Sequence, residues 1–279
     1  MMRRLHLIEL HEQRWYPASC RELFQRLLGS GVHTFRLFDH LAEVLDGLCA
    51  RVGTTNILDL CSGSGEAAVS VWERCASLLE KRERRLRIVL SDLFPNVAAY
   101  ESLKGQYGEL IEYYPQPVNA LNPPADAPGL WSMIESLHHF RPEDARAILQ
   151  NAANKADGFL ALESTGKTWK HFLLLLTIVP FIAAWTTTIQ LRPIRARNLL
   201  WGLLLPLVPF TSSFDGIVSS LRTYTPTDLE DIIASIDSEN FSWRVGTAPV
   251  PEGPARGLEV TYVVGWRNKP GNKDSQGRP

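Results

Sequence analysis

The 279-residue sequence has only four cysteines, Cys20, Cys49, Cys61 and Cys75. They form neither a metal-like pair nor a small-domain disulfide pattern, which fits a reduced, intracellular compartment. Net charge is nearly lacking as well: the formal value is −1, so no global argument for nucleic-acid binding exists and none is expected as a partner. No apolar leader is expected, because Arg3 and Arg4 are followed by a stretch that Glu9 soon interrupts. The expected location is therefore the cytoplasm, with association to a membrane left to the argument below. Two adjacent histidines point apart on a strand or turn, no second His/Cys cluster supports them, and no metal site is expected. What the chain does have is 45% hydrophobic residues beside 21% charged ones, enough for one large core or one domain with an insertion. The basic run Lys81-Arg82-Glu83-Arg84-Arg85 reads as a solvated loop before a strand.

The most informative stretch is Ile57-Leu58-Asp59-Leu60-Cys61-Ser62-Gly63-Ser64-Gly65. An apolar run ends in an acid, small residues and two glycines, then opens into a helix-like segment. This is the pattern of a buried strand, a tight turn and a helix N-terminus whose free N–H groups can face a ligand. A second strand, Leu86 to Ser91, ends in Asp92 one βα unit later, where an acid can take both hydroxyls of a ribose.

Residues 1–50 read as a helical cap, with apolar positions such as Phe24, Leu27, Phe38, Leu41 and Leu45 at helical spacing. Strands are expected at 57–61, 86–91, 110–114, 130–135 and 158–163, alternating with helices at 65–80, 95–104 and 142–154. Alternation of this kind predicts an α/β fold with a doubly wound parallel sheet. A further helix at 226–237 precedes strands near 241–247 and 257–266, joined by a Pro/Gly-rich loop and so antiparallel. The expected organisation is a sheet domain at 51–164 and 223–267, an insertion at 165–222, and a disordered tail at 268–279.

The insertion has the least ordinary composition. Phe172 to Ile189 is eighteen residues without a charge, Leu199 to Phe210 is another apolar run, and Arg192, Arg195 and Arg197 lie between them. Spanning a bilayer takes about 20 residues, and Pro180 and Thr186-Thr187-Thr188 interrupt the longer run. Three readings stay open: a hydrophobic lid, a surface for a second copy of the chain, or a hairpin dipping into one leaflet.

Five alternating strands, a helix and a terminal antiparallel pair, with Asp59 to Gly65 in the first turn, resemble the class I S-adenosylmethionine-dependent methyltransferases. The resemblance implies a Rossmann-like, seven-stranded sheet and S-adenosylmethionine as cofactor, with S-adenosylhomocysteine as product. It implies that Gly63 and Gly65 pass close to the methionine part and that Asp59 orients its ammonium. Asp92 matches the ribose acid, Leu93 the adenine-packing residue, and Asn119-Ala120 the segment facing the adenine amino group. Glu135, ending the fourth strand, is counted with these contacts. Cys61 departs from the family, which usually has a glycine there.

The run Leu137-His138-His139-Phe140 resembles the Leu-His-Asp-Trp region of small-molecule O-methyltransferases. It puts His138 at the position of their general base, with His139 as a second candidate. Neutral imidazole, with an unperturbed pKa of about 6.5, can take a hydroxyl proton near neutral pH. Trp15 and Tyr16 are expected in one wall of a substrate site, and Arg222 and Tyr224 in the other, the substrate being an apolar small molecule. Fold alone does not choose among methyl transfer, a non-methylating rearrangement and a non-catalytic partner role.

Overall fold

Apolar runs bounded by glycines and polar residues become the strands, and capped amphipathic stretches become the helices between them. The computed structural model describes residues 4–80, 86–125, 127, 129–164, 166–191, 193–253 and 255–268, without the side chains of 74–80. The basic run at 81–85, Arg192 and the tail from 269 onward lie outside these residues. After a strap at 4–17 come α1 (Ala18–Phe35), α2 (Ala42–Val52), β1 (Asn56–Leu60), α3 (Glu66–Glu80), β2 (Arg87–Ser91), α4 (Val97–Tyr107) and β3 (Ile111–Tyr113). Next are β4 (Leu130–Ile134), α5 (Pro142–Lys155) and β5 (Gly158–Glu163). The insertion carries α6 (Trp169–Thr177), α7 (Val179–Trp185), α8 (Ala196–Leu199) and α9 (Leu207–Arg222). The chain closes with α10 (Pro226–Ala234), β6 (Phe241–Pro249) and β7 (Glu259–Arg267).

The seven strands form one sheet in the order β3-β2-β1-β4-β5-β7-β6. The first five are parallel, and β7 runs antiparallel between β5 and β6, with Phe159 opposite Gly265. Every residue of β5 is buried, as expected of a strand covered on both faces. Its side chains alternate: Leu160 and Leu162 join the core with α2 and α3, Phe159 and Ala161 the core with α5 and α10. Local chemistry sets the helix starts. Asn96 accepts from Ala99 N at 3.2 Å, Pro142 opens α5, and Thr225 and Asp228 form a reciprocal capping box at α10.

The strap departs from the expected helical cap, since helix begins only at Ala18. Its backbone donors are used elsewhere: Leu5 N binds Leu221 O, while Leu10 N and His11 N bind the Asp215 carboxylate. Hydrogen bonds to α9 replace those a helix would supply.

Candidate active site

The crevice lies where strand order reverses, between β1 and β4, the place where open α/β sheets bind ligands. Backbone strain collects there. Cys61 (φ 60°) and Glu135 (φ 53°) follow these adjacent strands, and they are two of only three non-glycine residues with positive φ among the described residues. The third, Arg36, is an ordinary helix C-cap. Strained positions of this kind persist where the surroundings over-determine them.

On the β1 side, Cys61 takes the left-handed conformation that a glycine would adopt freely. Gly63 (φ 59°) and Gly65 (φ 82°) do so too, for different reasons. A Cβ on Gly65 would lie 2.6 Å from Leu90 and 2.8 Å from Leu103, so this glycine lets α3 close on the sheet. A Cβ on Gly63 would have room, 3.7 Å from Gln25, so its backbone angle alone calls for glycine. Gly63 N donates to Asp92 Oδ2 at 2.8 Å, and Phe94 N donates to Asp92 Oδ1 at 2.8 Å. Asp92 thus ties the two loops together, with Leu93 exposed beside it.

Asp59 sits beneath the loop rather than at its surface. Ser132 Oγ donates to its Oδ1 at 2.6 Å, and Trp72 Nε1 donates to Ser132 Oγ at 3.3 Å. Burial pushes the Asp59 carboxyl up to about 7. Burial, with Asp92 and Asp59 nearby, also holds the Cys61 thiol well above its usual range, so it is not an activated nucleophile. Asn119 is exposed, and its Oδ1 accepts from Leu121 N at 3.0 Å in a local turn; Ala120 is buried behind it. Helix α1 roofs the loop: Ser64 Oγ donates to Gln25 O, and the Arg21 guanidinium stacks 4.8 Å over Phe94.

On the β4 side the two histidines do not point apart as expected, since they sit in a tight turn with ring centroids 4.3 Å from each other, yet they have different fates. His138 is buried, and its Nδ1 lies 2.5 Å from Glu163 Oε2 at the end of β5. Glu163 Oε1 accepts from Leu137 N at 2.7 Å and His138 N at 3.2 Å, which orients the whole turn. With Nδ1–H donated to the carboxylate, Nε2 carries the lone pair, and that buried atom has no partner. His139 Nδ1 lies 2.8 Å from Glu12 and 3.1 Å from Glu9. Burial opposes its charge, but the two carboxylates outweigh burial and hold it well above the usual imidazole range. As an imidazolium, His139 has no lone pair to act as a base. Burial and the neighbouring Glu163 push the Glu135 carboxyl above its usual range, while Ser164 N donates to it at 2.9 Å.

The expected substrate residues are drawn into scaffolding. Arg222 is buried and binds Glu12 bidentately at 2.9 and 3.0 Å, and also Leu7 O at 2.6 Å. Tyr224 donates to Phe140 O at 2.7 Å, with the Arg4 guanidinium 4.0 Å over its ring. Tyr16 is buried, its hydroxyl 2.9 Å from Thr211 Oγ1, whereas Trp15 is exposed. Burial works against the Glu9 carboxylate, but the charge of the His139 imidazolium and its hydrogen bond hold it far below the usual range. For Glu12 burial is outweighed by hydrogen bonds from His139 and Arg222, which bring it down to about 2.

Glu163, Glu9, Glu12 and Ser132 were not anticipated. Glu163 had a signal, since it closes an apolar run just as Asp59 and Asp92 do. Glu9 had none beyond standing between Ile8 and Leu10, and Glu12, between His11 and Gln13, had none at all. They also change the metal question: three groups place possible ligand atoms within 4.8 Å of one another. These are Glu9 with His138 and His139, Glu9 with His11 and Asp215, and Glu135 with His138 and Glu163. Tertiary contact gathers them, so spacing along the sequence could not reveal them.

No family model matches the sequence, and no curated protein matches it. Solved structures do match. An O-methyltransferase family protein from Burkholderia thailandensis is 15% identical over 88% of this chain and 60% of that one, with TM-score 0.45. Mitomycin 7-O-methyltransferase is 17% identical over 88% and 57%, with TM-score 0.49. Magnesium protoporphyrin IX methyltransferase from Synechocystis, with bound SAH, is 16% identical over 85% and 84%, with TM-score 0.46. The chain spans less than two thirds of the length of the first two. Its own strand order, with an antiparallel seventh strand inserted between the fifth and sixth, is that of the class I methyltransferase fold.

Proposed function

We propose that the protein is an S-adenosylmethionine-dependent methyltransferase acting on a hydroxyl, carboxyl or amine of an apolar small molecule, in biosynthesis. The observation that carries this reading is a buried His138–Glu163 pair whose free Nε2 stands at the same sheet edge as the glycine loop. The residues present fit the cofactor. Gly63 and the strained Cys61 give a backbone that a ligand can approach, Asp92 faces that loop, and Leu93 is exposed to pack on a flat ring. Asp59 lies beneath with its carboxyl pushed up to about 7, so a cationic group bound above would draw it into the charged form. Bound there, S-adenosylmethionine would supply an activated methyl group.

The rest falls to this chain's own residues. His138 Nε2 accepts the acceptor's proton, and Glu163 offsets the positive charge that then forms on the ring. Glu163 also fixes the tautomer through Nδ1 and the turn through two backbone N–H groups. Helix α1 packs on the glycine loop and the strap on the His138 turn, where Arg4 anchors the turn by donating to His138 O and Phe140 O.

Calorimetry with S-adenosylmethionine and S-adenosylhomocysteine tests the cofactor; no binding to either overturns the reading. Labelled methyl transfer to a panel of apolar acceptors tests the reaction, and product without label rejects methylation. His138→Asn should keep cofactor binding and lower transfer about 10²- to 10⁴-fold; an unchanged rate removes His138 as base.

A further inference from the structure

Residues 164–214 contain no aspartate or glutamate, although the chain as a whole is slightly acidic. Every full charge in these 51 residues is positive: Lys167, Lys170, Arg192, Arg195 and Arg197. The packing is also inverted. Thr186, Thr187, Thr188, Asn198, Thr211 and Ser212 are buried, while sixteen of the twenty-three exposed large apolar side chains among the described residues fall between Trp169 and Phe214. Phe181 is 76% exposed and Leu204 72%. A lid for a water-soluble enzyme would do the reverse.

Helix contacts inside the insertion follow the same logic. Small and hydroxyl residues line them: a Cβ on Gly202 would lie 2.8 Å from Thr188 and 3.1 Å from Thr187. Hydroxyls close onto their own helix, Thr177 to Leu173 O at 2.7 Å and Thr188 to Ala184 O at 2.6 Å, as they do where water is not at hand. Asn198 fills the break between the arms by donating to Thr187 O and Leu191 O. Among the described residues no single helix is long and apolar enough to cross a membrane. Two bent pairs pass that test together, Trp169–Thr177 with Val179–Gln190 (40°) and Ala196–Leu204 with Leu207–Arg222 (59°). Both arms must return to one side, because β5 precedes them and β6 and β7 follow in the same sheet.

We infer that the insertion docks the enzyme on an anionic lipid bilayer, seating its apolar face in one leaflet with Lys170 and Arg195, both exposed, against lipid phosphates. The charge decides between occupants. A second copy would bring the same positive stretch against itself, whereas an anionic leaflet is complementary to it.

Flotation with phosphatidylcholine vesicles, with and without phosphatidylglycerol, tests this and needs no cofactor, so it fails or succeeds apart from the methyltransferase reading. The wild-type chain should float with the anionic vesicles, float less with neutral ones, and be released by salt. Phe181→Ser/Leu204→Ser should cut partitioning about tenfold for each side chain removed. Lys170→Glu/Arg195→Glu should abolish the preference for anionic lipid, and it carries the test if the first variant fails to fold. Sedimentation of the wild type without either vesicle overturns the proposal, as does flotation unchanged in both variants. So does a stable dimer in light scattering that Phe181→Ser/Leu204→Ser splits, which assigns the face to a second copy.

Discussion

The sheet and the insertion are comparably apolar, yet they obey opposite rules of inside and outside. In β5 the six residues Gly158–Glu163 are all buried, and Phe159 packs edge-on against Trp243 at 5.7 Å. In the insertion Thr187 is fully buried while Phe181 stands in the open. Apolar content alone therefore says that an element has a greasy face, not which solvent the face was selected for. Truncation separates the two most sharply. Phe159→Ala should cost about 3–5 kcal/mol by urea denaturation, through lost burial and a cavity. Phe181→Ala, on an exposed face, should stay within about 0.5 kcal/mol in the absence of lipid. Equal costs would mean that the insertion is an ordinary core.

The strap joins the two regions, and Arg222 is its hinge pin. Removing the guanidinium by Arg222→Met leaves Glu9 and Glu12 with only histidines to balance them. Breaking a buried pair in this way should cost about 3 kcal/mol. Limited proteolysis at residues 4–17 should accelerate in parallel, because the strap has no helix of its own to hold it. Slower or unchanged cleavage would place the strap's stability elsewhere.

The sheet was largely legible in the sequence because its signals are local. The expected strand at 158–163 is the observed one, and 241–247 falls short only because β6 runs on to Pro249 beyond its glycine. The glycine loop, Asp92 and the His138 turn were equally readable, each being an apolar run with a defined ending. The strap was not. Its partners lie more than a hundred residues away: His139 for Glu12, Arg222 for Leu7 and Asp215 for His11. Nor was the division of labour between adjacent histidines, which depends on two carboxylates arriving from β5 and from the strap.

Two acids, the half-buried Glu12 and the buried Asp59, extend the comparison to pH, with opposite signs. Glu12 has a folded pKa of about 2, below its usual 4.5, so its stabilisation is complete above 4.5 and is lost as pH falls through 2. Glu12→Gln should therefore destabilise near neutrality and approach the wild type in strong acid. Asp59, at about 7 against 3.8, favours folding while protonated, and that advantage is complete below 3.8 and lost as pH rises through 7. Asp59→Asn, whose amide oxygen can still accept from Ser132, should match the wild type in acid and exceed it in stability above neutrality. Urea midpoints across pH, measured without cofactor, check both; parallel profiles for the two variants would refute the opposition.

A small gain in stability is expected at Cys61, the place where the sheet breaks its own local rule. A left-handed conformation costs an L-residue about 1–2 kcal/mol, and glycine avoids it. Glycine also gives back about 0.4–1 kcal/mol by loosening the unfolded chain. Cys61→Gly should thus stabilise by about 0.5–1 kcal/mol, whereas Cys61→Val, β-branched at positive φ, should destabilise by more than that. The thiol is held protonated beside Asp92 and Asp59, so its loss removes no reactive group. If Cys61→Gly stabilises and cofactor binding is unchanged, the strain is incidental to the loop. If it stabilises while binding weakens, the strained turn is what holds Gly63 N toward Asp92, and the cysteine is kept for the shape of the crevice rather than for its sulfur.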